Sequence, residues 1–214
     1  MWFIHFIQSS IGKKWIMALT GCCLLLFLCS HAAGNATLFV GIPLFQAYAD
    51  QLHSHPLIVS VLSKGLTAIF IVHIITGILL TLQNRNAREQ KYKIRKRAKT
   101  GNNSKAAATM IYSGLFIMFF LILHTSVVSF GDHGKIGETI QHLFSSFFVS
   151  IFYIMAFGAL ALHLTHGFWS MLQTFGMNHP RYERFISVST YLVPVFFLLL
   201  FSSMPLLILF GTGH

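Results

Sequence analysis

Residues 144–172 read FSSFFVSIFYIMAFGALALHLTHGFWSML. This stretch carries no charged residue, yet it contains two histidines, His163 and His166. The hydrocarbon core of a bilayer is about 30 Å thick and needs about 20 mostly apolar residues of helix. The stretch therefore predicts a membrane-spanning helix. Its imidazoles need an explanation, because ionisable side chains inside a membrane are costly and are usually functional.

Four further runs of similar length and character follow the same rule. Together they predict five transmembrane helices at residues 15–39, 57–82, 107–130, 144–172 and 185–210. The composition agrees, since 55% of the 214 residues are hydrophobic and 9% are charged, where a soluble domain has roughly a quarter charged. We expect an all-α integral membrane protein in which residues 1–214 form a single transmembrane domain. Residues 1–10 and 43–53 are expected to be short interfacial segments, and no repeat of fixed period is evident.

The charge is unevenly placed along the chain. There are 15 Lys+Arg against 5 Asp+Glu, a formal net charge of +10, which in a soluble chain would indicate nucleic-acid binding. Basic residues gather before the first span, between the second and third, and between the fourth and fifth: Lys13, Lys14, Arg85, Arg88, Lys91, Lys93, Arg95, Lys96, Arg97, Lys99, Lys105, Arg181 and Arg184. The positive-inside rule then places the N-terminus in the cytoplasm and the C-terminus outside. We expect membrane lipid and no nucleic acid as partner, and the basic connection is either a topology signal or a docking surface.

Five of the 12 histidines lie within spans: His31, His73, His124, His163 and His166. An isolated intramembrane histidine is as often a hydrogen-bond partner between helices as a ligand, but here each of the first four spans carries at least one. At about 1.5 Å of rise per residue, His31 and His124 lie toward the outer face and His73 and His163 lie deeper. This predicts two pairs at levels up to about 10 Å apart, and hence two bis-histidine haems stacked inside a bundle of the first four helices.

His73 and His163 share the pattern H-x-x-x-G, ending at Gly77 and Gly167. Four residues is one helical turn, and a glycine there leaves room for a flat macrocycle. His163 therefore ranks above His166, which is expected to be a polar neighbour of a haem propionate or a quinone. Lys64 is a candidate propionate partner, or it snorkels to the surface.

Haem b is the cofactor that the paired histidines predict. Two opposed neutral imidazoles are the axial set of a b-type haem, and the helices offer no carboxylate or thiolate beside the histidines to complete a zinc or copper site. The sequence contains no C-x-x-C-H motif, so covalent c-type attachment is excluded.

Several segments resemble the cytochrome b subunit of succinate:quinone oxidoreductases, in its single-chain, five-helix, two-haem form. They are residues 9–14 (SSIGKK), 17–21 (MALTG), 31–35 (HAAGN), 45–49 (FQAYA), 52–54 (LHS), 163–170 (HLTHGFWS) and 173–176 (QTFG). The resemblance implies axial ligation by His31 with His124 at the outer haem and by His73 with His163 at the inner haem. It also implies a membrane anchor that carries a flavoprotein subunit and an iron–sulfur subunit on its cytoplasmic side, in a bacterial inner membrane.

The reaction that the resemblance implies is electron transfer between the iron–sulfur subunit and a membrane quinone, with menaquinone favoured. That family often places an acidic residue near the outer start of the second helix, and this sequence has none there. Asp50, His53 and His55, just before that helix, are the quinone-site candidates. Two alternatives stay open: a cytochrome b of a hydrogenase or formate dehydrogenase, and a non-redox transporter that uses the histidines as proton relays.

Overall fold

The computed structural model describes residues 2–86, 104–130, 133–177 and 179–211. These residues form eight α-helices and no strand. The helices are α1 (Trp2–Gln8), α2 (Ser10–Ala36), α3 (Ile42–His53), α4 (Pro56–Asn86), α5 (Ser104–Phe130), α6 (Ile136–Ser145), α7 (Phe147–Thr174) and α8 (Glu183–Gly211). Most of the basic connection between the second and third spans, with its proposed docking role, lies outside the described residues.

Five of the helices, α2, α4, α5, α7 and α8, are long and apolar enough to cross a membrane. The prediction of an all-α membrane protein with five spans is confirmed. The first span begins earlier than predicted, at Ser10 rather than at residue 15. Ser9 caps this helix, because its hydroxyl accepts a hydrogen bond from the amide of Gly12 at 3.0 Å, and the helix then continues through Lys13 and Lys14.

The predicted fourth span is divided in two at Ser146. The backbone there is extended, with φ −81° and ψ 119°, and it separates α6 from α7. Ser150, which is fully buried, donates a hydrogen bond to the carbonyl of Phe144 at 2.9 Å across this break. Residues 144 and 145 therefore belong to α6, a short helix that the prediction missed.

The two short helices α3 and α6 pack together at one end of the bundle. Gln46 of α3 accepts a hydrogen bond from the amide of Gly137 at 2.8 Å, which satisfies a donor at the start of α6. A Cβ on Gly137 would approach the side chain of Ile42 to 2.7 Å, so this contact requires glycine. Because α3 follows the first span and α6 follows the third, both lie at the outer end that the charge pattern predicts.

Four spans pack around a common centre. The helices α2 and α4, α5 and α7, and α2 and α7 pack side by side, and α4 touches α5 more lightly. The fifth span, α8, packs mainly on α7. Helices α2 and α5 are therefore on opposite corners of the four-helix arrangement, as are α4 and α7.

Candidate functional site

The inner histidine pair joins the opposite helices α4 and α7. The ring centroids of His73 and His163 are 6.4 Å apart, with an angle of 59° between the ring planes. Both side chains are partly buried. The predicted partners therefore meet in the middle of the bundle.

The outer pair joins the other two helices, α2 and α5. The rings of His31 and His124 have centroids 6.0 Å apart and are nearly perpendicular, at 87°. The structure thus brings together both pairs that the sequence predicted, and each of the four helices contributes one histidine.

The spacing of the rings fits a metal ion between them. An imidazole nitrogen binds a metal at about 2.0 Å and the ring centre lies about 1.2 Å behind that nitrogen, so two imidazoles on opposite sides of one iron have centres about 6.4 Å apart. The observed separations are 6.0 and 6.4 Å. Among the described residues, no group of three or more His, Cys, Asp or Glu is placed to hold a metal ion, so each site offers two protein ligands.

The two pairs lie farther apart than predicted. His73 lies against Thr20 and Gly21 of α2, and His31, the predicted outer ligand on that helix, follows Gly21 by ten residues. At 1.5 Å of rise per residue this separates the two levels by about 15 Å along the helix axis. The predicted upper limit of about 10 Å was too small, because it measured depth from estimated span ends rather than from contacts between helices.

Aromatic rings surround the outer pair. Phe27 stacks on His31 with centroids 5.5 Å apart, and Phe120 stacks on His124 at 5.4 Å. Phe201 of α8 lies 5.9 Å from His31, and the Tyr153 hydroxyl lies 3.4 Å from Nδ1 of His124. These contacts give the outer site an apolar wall with one polar contact.

Small residues line the inner pair instead. The Thr20 hydroxyl lies 3.0 Å from Nδ1 of His73, and the Ser113 hydroxyl lies 3.3 Å from Nδ1 of His163. A Cβ on Gly21 would lie 3.5 Å from the ring of His73, and one on Gly114 would lie 3.4 Å from that of His163. Neither these four residues nor Tyr153 were among the predicted site residues. One signal in the sequence does indicate the four residues at the inner pair: a hydroxyl residue followed by a glycine recurs, with the glycine ten residues before His31 and ten before His124.

Two other predicted glycines have different surroundings. Nothing lies within 4 Å of the position of a Cβ on Gly167, whereas a Cβ on Gly77 would lie 3.4 Å from the flexible side chain of Met17. Gly167, one turn after His163, therefore faces open space, whereas Gly77, one turn after His73, faces the side chain of Met17. His166 lies 6.5 Å from the ring of Trp169 and is not part of either pair.

Lys64 lies nine residues from His73 on α4. That distance along the helix is about 14 Å, so Lys64 is near the level of the outer pair. Its side chain is exposed on the surface of the bundle. Its role as a propionate partner stays a prediction.

The three quinone-site candidates are not brought together. Asp50 is exposed and accepts a hydrogen bond from Gln46 at 2.7 Å, while Nδ1 of His53 lies 2.8 Å from the carbonyl of Ala49 in its own helix. His55 lines an apolar groove of about 210 Å³ at the outer end of α4. The groove is formed by Tyr48, Gln51, Leu52, His55, Ile58 and Val59.

Tyr48 connects this groove to the outer histidine pair. A Cβ on Gly34 would come within 2.6–2.7 Å of the Tyr48 ring, and Gly34 is three residues, or one turn, after His31. Of the candidate residues, His55 is therefore the one that lines a cavity near a predicted haem ligand.

In comparisons with protein-family models, curated proteins and solved structures, nothing matches the chain.

Proposed function

We propose that this protein is the dihaem cytochrome b anchor of a succinate dehydrogenase or fumarate reductase complex, which transfers electrons between an iron–sulfur subunit and a membrane quinone. The observation that carries the proposal is the presence of two histidine pairs on opposite helices, with ring separations of 6.0 and 6.4 Å. The order of family-like segments along the sequence, from residues 9–14 to residues 173–176, supports this particular complex.

His31 and His124 would hold the outer haem, and His73 and His163 the inner one. Haem b supplies one-electron chemistry when bound. The chain itself contributes imidazoles at two levels, apolar walls that exclude water, and hydroxyl partners that orient the rings. The two levels are about 15 Å apart in a hydrocarbon core of about 30 Å. An electron that crosses the membrane through both sites would therefore travel in shorter transfers than the full thickness of the core.

The groove of Tyr48, Gln51 and His55 is the proposed quinone site. It is apolar apart from a few groups that can hydrogen-bond a quinone carbonyl, which is the usual composition of small-molecule sites. The Tyr48 ring lies against Gly34, one turn from His31. We favour menaquinone, and we expect the flavoprotein and iron–sulfur subunits on the cytoplasmic side of a bacterial inner membrane.

A reduced-minus-oxidised absorbance spectrum of the purified chain, with haem extracted as the pyridine complex, tests the cofactor. We expect b-type bands and two haems per chain. His73→Ala and His163→Ala should each leave one haem, and combining them should remove no more than either alone. His166→Ala on the same helix is the matched control and should keep both haems; a chain without b-type haem would refute the redox function.

A second measurement separates the complexes. When the tagged chain is purified from membranes of its source, the flavoprotein and iron–sulfur subunits should co-purify, and the preparation should reduce a quinone with succinate as electron donor. Hydrogen- or formate-dependent reduction instead would favour the alternative membrane cytochromes b.

A further inference from the structure

Two halves of the bundle share a sequence pattern. Thr20-Gly21 on α2 is followed ten residues later by His31, and Ser113-Gly114 on α5 is followed ten residues later by His124. The pattern is a hydroxyl residue, a glycine, nine residues and a histidine. The second helix of each half, α4 or α7, carries H-x-x-x-G. Between the glycine and the histidine the two copies also share Phe27 with Phe120 and Leu28 with Leu121, and each of the two phenylalanines stacks on the histidine that follows it.

Each copy makes the same contact with the inner histidine of its own half. The Thr20 hydroxyl lies beside Nδ1 of His73, and the Ser113 hydroxyl lies beside Nδ1 of His163. A Cβ on Gly21 or Gly114 would lie 3.5 or 3.4 Å from Cε1 of the same ring. Those glycine distances are ordinary van der Waals separations, so the hydroxyls make the specific contact with Nδ1 and the glycines leave the space beside it unobstructed.

The remaining hydrogen bonds of the hydroxyls indicate the direction of the proton. Thr20 donates to the carbonyl of Ile16 at 2.8 Å. Ser113 lies 3.1 Å from the carbonyls of both Thr109 and Met110. Since a hydroxyl has one proton to donate and two lone pairs, each is left with a lone pair that can accept Nδ1–H from its histidine. That tautomer keeps the lone pair of Nε2 for a metal.

We propose that Thr20 and Ser113 are positioning residues of the inner haem site. This inference rests on the proposed function and deepens it. By accepting Nδ1–H, the two hydroxyls select the tautomer that binds iron through Nε2, hold the ring against rotation, and raise the basicity of the ligand. A more basic axial ligand stabilises ferric over ferrous iron, so the contacts lower the reduction potential of the inner haem.

A purely structural role is the competing explanation. Serine and threonine in membrane helices commonly satisfy their hydroxyls with carbonyls of the preceding turn, and Thr67 and Ser63 of α4 do this. Thr20 and Ser113 differ because each also reaches a predicted ligand on another helix. The two explanations diverge in their effect on the haem potential.

The test compares Thr20→Val and Ser113→Ala, which remove the hydroxyls, with Thr20→Ser and Ser113→Thr, which retain them. Thr67→Val and Ser63→Ala are the matched controls. Each variant is purified in detergent, and the haem content, the midpoint potential of each haem and the low-temperature electron paramagnetic resonance spectrum are measured. The outer haem serves as an internal report of correct folding.

We expect Thr20→Val and Ser113→Ala to raise the potential of the inner haem and to weaken its binding by about 10- to 100-fold, with the outer haem unchanged. The hydroxyl-retaining variants and the controls should resemble the wild type. Unchanged potentials at full haem content would overturn the proposal, as would equal loss of both haems in all four variants at positions 20 and 113. If Thr20→Val does not fold, the potential and haem content of the smaller variant Ser113→Ala decide between the two explanations. A wild-type chain without two haems would instead refute the proposed function, before any substitution is compared.

Discussion

The Tyr153 hydroxyl on α7 lies 3.4 Å from Nδ1 of His124 on α5. Tyr153 precedes His163 by ten residues on the same helix, so α7 carries a proposed haem ligand at the inner level and a polar contact at the outer level. The outer site therefore has a hydroxyl beside an imidazole, as the inner site has two. The difference is that here the hydroxyl belongs to a buried aromatic ring.

Replacing Tyr153 by phenylalanine removes only this hydroxyl. A neutral hydrogen bond contributes about 1 kcal/mol net, so the fold should persist. We expect the potential of the outer haem to rise and that of the inner haem to stay unchanged, as measured by redox titration of the absorbance bands. Tyr191→Phe, at an exposed position on α8, is the control, and a shift confined to the inner haem would contradict the assignment of His124.

The angles between the imidazole planes predict the magnetic spectra of the ferric haems. Parallel axial rings separate the energies of the two iron orbitals that share the unpaired electron, and perpendicular rings do not. The outer pair is at 87° and the inner pair at 59°. We expect the outer haem to have the larger maximum g value, with each signal assigned by its loss in His31→Ala or His73→Ala. The reverse order would show that the rings turn when haem binds.

His55 lines the groove proposed for the quinone. His55→Leu removes a hydrogen-bonding group and keeps the site apolar, so we expect a higher KM for quinone in the assembled complex and unchanged haem spectra. Asp50→Asn is the matched control, because the Asp50 carboxylate already pairs with Gln46 on its own helix. If Asp50→Asn alone impaired quinone reduction, the site would lie elsewhere on this outer surface.

Gly34 is packed against the ring of Tyr48, and a Cβ there would come within 2.7 Å of ring atoms. Gly34→Ala must therefore displace Tyr48, and overpacking of this kind costs about 1–3 kcal/mol. We expect a lower thermal unfolding temperature in detergent and a weakened quinone site. Gly158→Ala on α7, where nothing lies within 4 Å of the new methyl group, should be neutral or stabilising because alanine favours helix.

The five spans could be predicted because membrane helices are recorded in the sequence as long apolar runs. The ends were less predictable. The charges of Lys13 and Lys14 suggested that the first span begins after them. Backbone hydrogen bonding within a helix does not depend on side-chain charge, so the helix continues through both lysines. The capping residue Ser9 was the better signal of where this helix begins. The helix α6 was missed because it is only ten residues long and carries Glu138 and His142, which is too short and too polar for a span, and because its last two residues run into the apolar stretch that follows.

The pairing of the four histidines was predicted from depth, since helical rise converts position into height. The residues around them were not predicted, because a contact such as that of Thr20 with His73 depends on which helices are neighbours and how they are rotated. The groove beside Tyr48 likewise requires α3 to fold back on the start of α4. Such relations join residues distant in sequence, and the only local mark of them is the repeated hydroxyl–glycine pair before His31 and His124.

Each histidine pair takes one ring from α2 or α4 and the other from α5 or α7. Neither half of the chain alone contains both histidines of either pair. The two helical hairpins are in this respect like subunits of a dimer whose cofactors are shared across the interface. If the pairs hold haem as proposed, co-expressed halves separated within residues 87–103 should assemble only when haem is supplied, and haem supply would then control maturation of this protein.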